Sequence, residues 1–122
     1  MLLKNLIKNP SKKIEKLNIK GLAINSKQVK KNFIFFALKG NNSDGENYID
    51  EAIQNGAILI ICSKKSKFRC KKVHIIKTKN VRVYLSEITS KFYKLKPRNI
   101  IAVTGTNGKT SVADFFYQIL RK

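Results

Sequence analysis

Apolar residues fall along the chain in short blocks separated by stretches rich in lysine, asparagine and glycine. Residues 2 to 8 place Leu2, Leu3, Leu6 and Ile7 on one side, which predicts a short helix that "NPSKK" interrupts at Pro10. In "KGLAINSKQV", Leu22 and Ile24 predict a short strand followed by a polar turn. "NFIFFAL", residues 32 to 38, reads as a strong strand because it is aromatic, apolar and short. The following "KGNNSDGEN" is a loop by composition. A helix is then expected from about Asn47 to Asn55, with Ile49, Ala52 and Ile53 as its apolar stripe. Asp50 and Glu51 sit at its positive end, and Gly56 is placed to stop it.

"AILIIC" has no polar interruption, the pattern of a strand covered on both faces of a parallel sheet. "KKVHII" is a further candidate strand after a basic loop. Residues 80 to 95 carry Val81, Leu85, Ile88, Phe92 and Leu95 at spacings of three and four, so a helix is expected there. "KPRN" marks a boundary near Pro97. Beyond it stand the candidate strand "IIAV", a glycine-containing turn and a last helix from Lys109 to about Leu120. The order of elements is that of an α/β protein.

The 122 residues suffice for one modest domain with a real core. The formal charge of +19 raises nucleic acid as a partner. However, the lysines are spread almost evenly and only Arg69, Arg82, Arg98 and Arg121 supply guanidinium groups. The expectation is therefore no specific nucleic acid, with "CSKKSKFRCKK" a solvated basic loop. A small basic nucleic-acid-binding or non-catalytic interaction module stays as an alternative. No apolar run is long enough to cross a membrane, and the N-terminus lacks the features of a signal peptide, so a cytoplasmic location is expected. Cys62 is expected as a buried thiol and Cys70 as a loop residue, with no metal site between them. His74 is expected to be structural or at the surface.

"GTNGKTS", residues 105 to 111, supplies what a phosphate site needs. Gly105 and Gly108 permit a tight turn of inward N–H groups, and a helix begins immediately after it. Lys109 is a flexible cation for the outer phosphates, and the Thr110 hydroxyl is a candidate Mg²⁺ ligand. The longer G-x-x-x-x-G-K-[ST] pattern would need glycine at position 103, where this chain has Val103.

"AVTGTNGKTS" resembles the ATP-binding loop of the Mur ligase family, the ATP-dependent amino-acid-adding enzymes of peptidoglycan synthesis. "INSKQVKKNFIFFALKGNNSDGENYIDEAIQNGA" resembles the N-terminal domain of the same family. The resemblance is nearest to the branch that adds the third residue, usually meso-diaminopimelate, to UDP-N-acetylmuramoyl-L-alanyl-D-glutamate. The branch that adds D-alanyl-D-alanine is the alternative.

The resemblance implies a small UDP-substrate-binding domain over 1–96. It further implies that 97–122 are the first strand, phosphate loop and helix of a truncated central ATPase domain. It assigns Ile24, Ser26, Asn41, Asn42 and Ser43 to the UDP part of the substrate. Gly105, Thr106, Asn107, Gly108, Lys109, Thr110 and Ser111 are assigned to ATP, with Lys109 catalytic and Thr110 on Mg²⁺. Lys27 stands where the family usually has arginine, and Asn25 where it often has aspartate. Asp44, Gly45 and Tyr48 match a family signature read as loop geometry and packing. The partners implied are UDP-N-acetylmuramoyl-dipeptide and an amino acid held by a further C-terminal domain. The 122 residues alone are expected to be inactive, and Phe115, Phe116 and Ile119 to form an exposed apolar face if the sheet beneath them is absent.

Overall fold

The computed structural model describes residues 1–95, 97–105 and 108–121. Its centre is a four-stranded, fully parallel sheet in the order β1 (Gly21–Ala23), β2 (Phe33–Phe36), β3 (Ala57–Ser63), β4 (His74–Thr78). All four strands therefore end at one edge. The β2–β3 crossover carries the 3₁₀ turn Gly45–Tyr48 and helix α1 (Ile49–Gln54). Helix α2 (Val81–Phe92) follows β4, and helix α3 (Lys109–Leu120) comes last.

The uninterrupted apolar run of β3 has the predicted consequence. Leu59 and Ile61 point into one core with Ile34, Phe36 and the Ile88 side chain of α2. Ile60 and Cys62 point into the other core with Phe35, Ile49 and Ala52. Period-two alternation thus splits one apolar strand between two faces. Gly56, at φ 109°, ends the α1 connection, where a side chain would lie 2.8 Å from the Lys31 Cα. Neighbouring residues hold that turn in a conformation L side chains resist.

Several expectations need correction. Residues 2 to 8 form only a 3₁₀ turn at Leu3–Asn5. Leu3 N–H donates to Leu17 O at 2.9 Å and Lys4 N–H to Glu15 O at 3.1 Å, so tertiary partners take the bonds a short helix could not hold alone. Leu3, Leu6, Ile7, Ile14 and Ile19 are buried by this arrangement. Helix α2 ends at Phe92, leaving Leu95 97 % exposed and outside the predicted stripe.

Residues 100–103, expected as a strand, are not one. Ile100 and Ile101 are exposed, and a strand in a parallel sheet needs a hydrogen-bonded neighbour. Every described residue of α3 is exposed, including Phe115, Phe116 and Ile119, in line with the expected apolar face. Among the described residues no helix is long and apolar enough to cross a membrane.

Cys62 is fully buried and Cys70 partly exposed, and both are free thiols. Burial pushes the Cys62 thiol above its ordinary value. A hydrogen bond with Ser66 opposes this, Glu46 adds to it, and Lys77 and Arg69 oppose it. A raised folded-state value means full stability below the unfolded thiol value and loss as pH climbs through the folded one. Tyr84 shifts the same way, through burial and then Glu87. Stability is therefore expected to fall above about pH 9, and Cys62→Ala should flatten the start of that fall in urea titrations. One thiol should react with a disulfide reagent in the native chain and the second only after unfolding. Two fast thiols would contradict the buried placement.

Candidate functional site

The C-terminal edge of a parallel sheet is where α/β proteins collect ligands, because the loops leaving the strands meet there. At this edge lies a cleft of about 430 Å³ lined by Ile24, Ser26, Lys27, Leu38, Ser43 and Tyr48, with Asn25 and Gly45 completing it. Three of the residues assigned to UDP, Ile24, Ser26 and Ser43, thus come together. They do so because β1 and β2 are parallel neighbours and both end at this rim.

The β1 side is fixed by the 3₁₀ turn Ser26–Gln28. The Asn25 side chain accepts from Lys27 N–H at 3.0 Å and starts the turn. Helix α1 grips it from below. The Ser26 hydroxyl donates to Glu51 Oε2, and Asn55 Nδ2 donates to Ser26 O at 2.9 Å. Glu51 and Asn55 are four apart and so share one helix face. Ser26 is buried, and its hydroxyl proton is already committed within the protein.

The β2 side is a tight loop. Lys39 and Asp44 form an antiparallel bridge, and Gly40 N–H donates to Ser43 O at 2.8 Å. This closure leaves Asn41 and Asn42 exposed at the tip, and neither lines the cleft. Asp44 caps the following turn by accepting from Glu46 N–H at 3.0 Å. Gly45 N–H donates to Leu38 O at 2.8 Å, and a Cβ at Gly45 would stand 2.6 Å from both Leu38 N and O. Asp44 and Gly45 therefore have the geometric roles expected of them. Tyr48 does not: it is 46 % exposed and forms a wall of the cleft. Lys27 and Leu38 were likewise not anticipated as lining residues.

A second cleft of about 390 Å³ continues along the same rim past Leu38, bordered by Lys39, Lys65, Lys79 and Arg82. Arg82 Nη2 donates to Lys39 O at 3.2 Å, tying the start of α2 to the loop that separates the two clefts.

None of the described residues of the phosphate turn lines either cleft. Gly108, at φ 74° and ψ 3°, is the N-cap of α3, and no side chain hydrogen-bonds to cap its first turn. A Cβ at Gly108 would meet nothing within 4 Å. Lys109, Thr110 and Ser111 are exposed at the start of the helix, and Gly105 takes φ 145°. Thr106 and Asn107 lie outside the described residues. An open helix start with uncapped N–H groups, a lysine and two hydroxyls fits an anionic phosphate chain. Among the described residues no group of three histidine, cysteine, aspartate or glutamate side chains could hold a metal ion.

A family model described as "Mur ligase family, catalytic domain" matches residues 18–93, the stretch from before β1 through α2. The chain belongs to the Mur ligase family. The UDP-N-acetylmuramoyl-L-alanyl-D-glutamate--2,6-diaminopimelate ligase of Rickettsia conorii is 48% identical over 101 residues, 83% of this chain and 21% of that protein. The corresponding ligase 2 of Clostridium acetobutylicum is 37% identical over 126 residues, 98% of this chain and 26% of its own length. Among solved structures, a MurF ligase from Thermotoga maritima in complex with ADP aligns at TM-score 0.64 and 29% identity, covering 84% of this chain and 23% of that one. A MurF from Acinetobacter baumannii aligns at TM-score 0.66 and 23% identity, covering 84% and 22%, and shows the shared fold.

This Mur ligase chain thus spans about a quarter or less of the length of these relatives. The family match contains both walls of the cleft and stops before the phosphate turn.

Proposed function

We propose that this chain is the nucleotide-sugar-binding part, with the opening of the ATP site, of an amide-bond-forming ligase. The reaction would add a third amino acid, meso-diaminopimelate, to UDP-N-acetylmuramoyl-L-alanyl-D-glutamate in peptidoglycan synthesis. The observation that carries this reading is the convergence of Ile24, Ser26 and Ser43 on one cleft at the sheet's C-terminal rim. Relatives named as ligases of that substrate support the substrate class.

The two ends of the chain divide the work. The cleft binds the UDP end: Ile24, Leu38 and Tyr48 offer flat apolar wall to a base, while Ser43 and Lys27 offer a hydroxyl and a cation to more polar parts. The exposed first turn of α3 orients a phosphate chain through its N–H groups, and Lys109 neutralises charge there. Thr110 would offer its hydroxyl as a ligand to Mg²⁺. ATP supplies the driving force for joining a carboxylate to an amine. The amino acid would bind to a further domain of the whole protein.

Titration of UDP-N-acetylmuramoyl-L-alanyl-D-glutamate into the chain by calorimetry tests the reading. Saturable binding is expected, weakened at least about tenfold by Gly45→Ala, whose added carbon presses on the Leu38 backbone and shifts the loop wall. Tighter binding of random DNA than of this ligand at physiological salt would instead favour a nucleic-acid module.

A further inference from the structure

The loop that walls the first cleft is held from outside that cleft. Ala37 N–H still bonds to Ile61 O of β3 at 2.9 Å. The bonds that follow are internal to the loop: the Lys39–Asp44 bridge, Gly40 N–H to Ser43 O and Gly45 N–H to Leu38 O. Local bonds of this kind set the shape of a loop, not its lean against the sheet. The lean is what puts Leu38, Ser43 and Gly45 on the cleft wall. Arg82, 43 positions from Lys39, supplies a longer-range tie, with Nη2 donating to Lys39 O at 3.2 Å. Arg82 does not line the first cleft. It borders the second, and Leu38 is a wall of both.

The base of this tie is firm. Asn80 Oδ1 accepts from Arg82 N–H at 3.1 Å and from Val83 N–H at 3.2 Å, which caps α2. Further along the helix, Ile88 is buried in one core with Leu59 and Ile61. A guanidinium keeps its charge at any ordinary pH, and its bond to a carbonyl is stronger than that of a neutral donor.

Resting on the nucleotide reading above, we infer that Arg82 is a positioning residue for the UDP cleft: from α2 it holds the Lys39 carbonyl and keeps the 38–45 loop where its inner side meets the ligand. It acts through the loop and touches no ligand itself. The second cleft also contains Lys39, Lys65 and Lys79, with Asp44 and Glu46 opposing them. A general effect of positive charge on an anionic ligand must therefore be separated from the tie, and Lys65→Ala does this. It removes a cation from the same cleft and leaves the Arg82–Lys39 bond in place.

The test uses the natural 122-residue chain, Arg82→Ala and Lys65→Ala. Calorimetry measures binding of UDP-N-acetylmuramoyl-L-alanyl-D-glutamate, amide hydrogen exchange is followed by NMR without ligand, and urea unfolding gives the stability of each chain. Arg82→Ala should raise the Kd about three- to tenfold. The Gly40 and Gly45 amides, which close the loop, should exchange faster in it by about the same factor. The Leu59 and Ile61 amides of β3 and the urea midpoint should not change. Lys65→Ala should leave the glycine amides as they are and cost binding less than about twofold.

Unchanged exchange at Gly40 and Gly45 in Arg82→Ala would overturn the inference while leaving the nucleotide reading in place. So would an equal loss of binding in Lys65→Ala, which would make charge the cause. Faster exchange throughout β3 in Arg82→Ala would show a role in overall stability instead and also overturn it. A folded natural chain that binds no UDP ligand would overturn the nucleotide reading and the positioning role together.

Discussion

Replacing Phe35 with alanine is expected to cost about 3–5 kcal/mol of folding stability. The side chain is fully buried near the middle of the sheet, between β1 and β3, with Ala23 and Ile60 as its register partners. It packs into the core that α1 closes through Ile49 and Ala52. Neither strand neighbour can slide to fill the space, because each is pinned by the ladder of a parallel sheet. The cavity therefore stays open and adds to the lost transfer energy. A small domain holds roughly 5–15 kcal/mol in total, so the variant should sit near the edge of folding. Urea unfolding followed by circular dichroism measures this. A loss below about 1 kcal/mol would mean that this face is not packed as described.

Replacing Lys109 with alanine in the whole protein should lower kcat by about 10²–10³, the size typical of removing a positioned group that stabilises transition-state charge. Lys109 lies exposed in the first turn of α3 and does not line the cleft proposed for UDP. The same change in the 122-residue chain should therefore leave UDP binding unaltered. Steady-state kinetics and calorimetry together separate the two effects. If kcat were unchanged, the phosphate turn would have no part in the reaction. If UDP binding were lost instead, the division into two sites would fail.

These two changes differ in how far sequence alone reaches them. The burial of Phe35 follows from a local pattern. Four apolar residues at Phe33–Phe36 read as a strand in any covered sheet, and the run at Ala57–Ser63 asks for cover on both sides. Helix α2 is legible for the same reason, through the spacing of Val81, Leu85, Ile88 and Phe92. The segment at residues 2 to 8 misleads because the same apolar spacing serves an irregular turn when tertiary contacts supply the backbone bonds. The stretch at 100–103 misleads in the opposite way: its pattern is that of a strand, but strand geometry is completed by a partner, not by the segment itself.

The site shows the same limit. The glycine turn ahead of α3 and the polar loop after β2 could be read as letters, with Ile24, Ser26 and Ser43 named in advance. Asn41 and Asn42 were named with them, yet the Lys39–Asp44 bridge holds both at the loop tip, away from the cleft wall. Tyr48, placed by sequence among packing residues, is a wall of the cleft.

By itself the sequence determined the α/β class, most strands and helices and the family resemblance, because hydrophobic periodicity and turn chemistry are properties of neighbouring residues. The tertiary structure alone decided that the strands run parallel in the order β1-β2-β3-β4, that Ile24, Ser26, Ser43 and Tyr48 share one rim, and that Glu51 takes the Ser26 proton. Those facts depend on which distant segments lie side by side, and a one-dimensional pattern carries no record of that pairing.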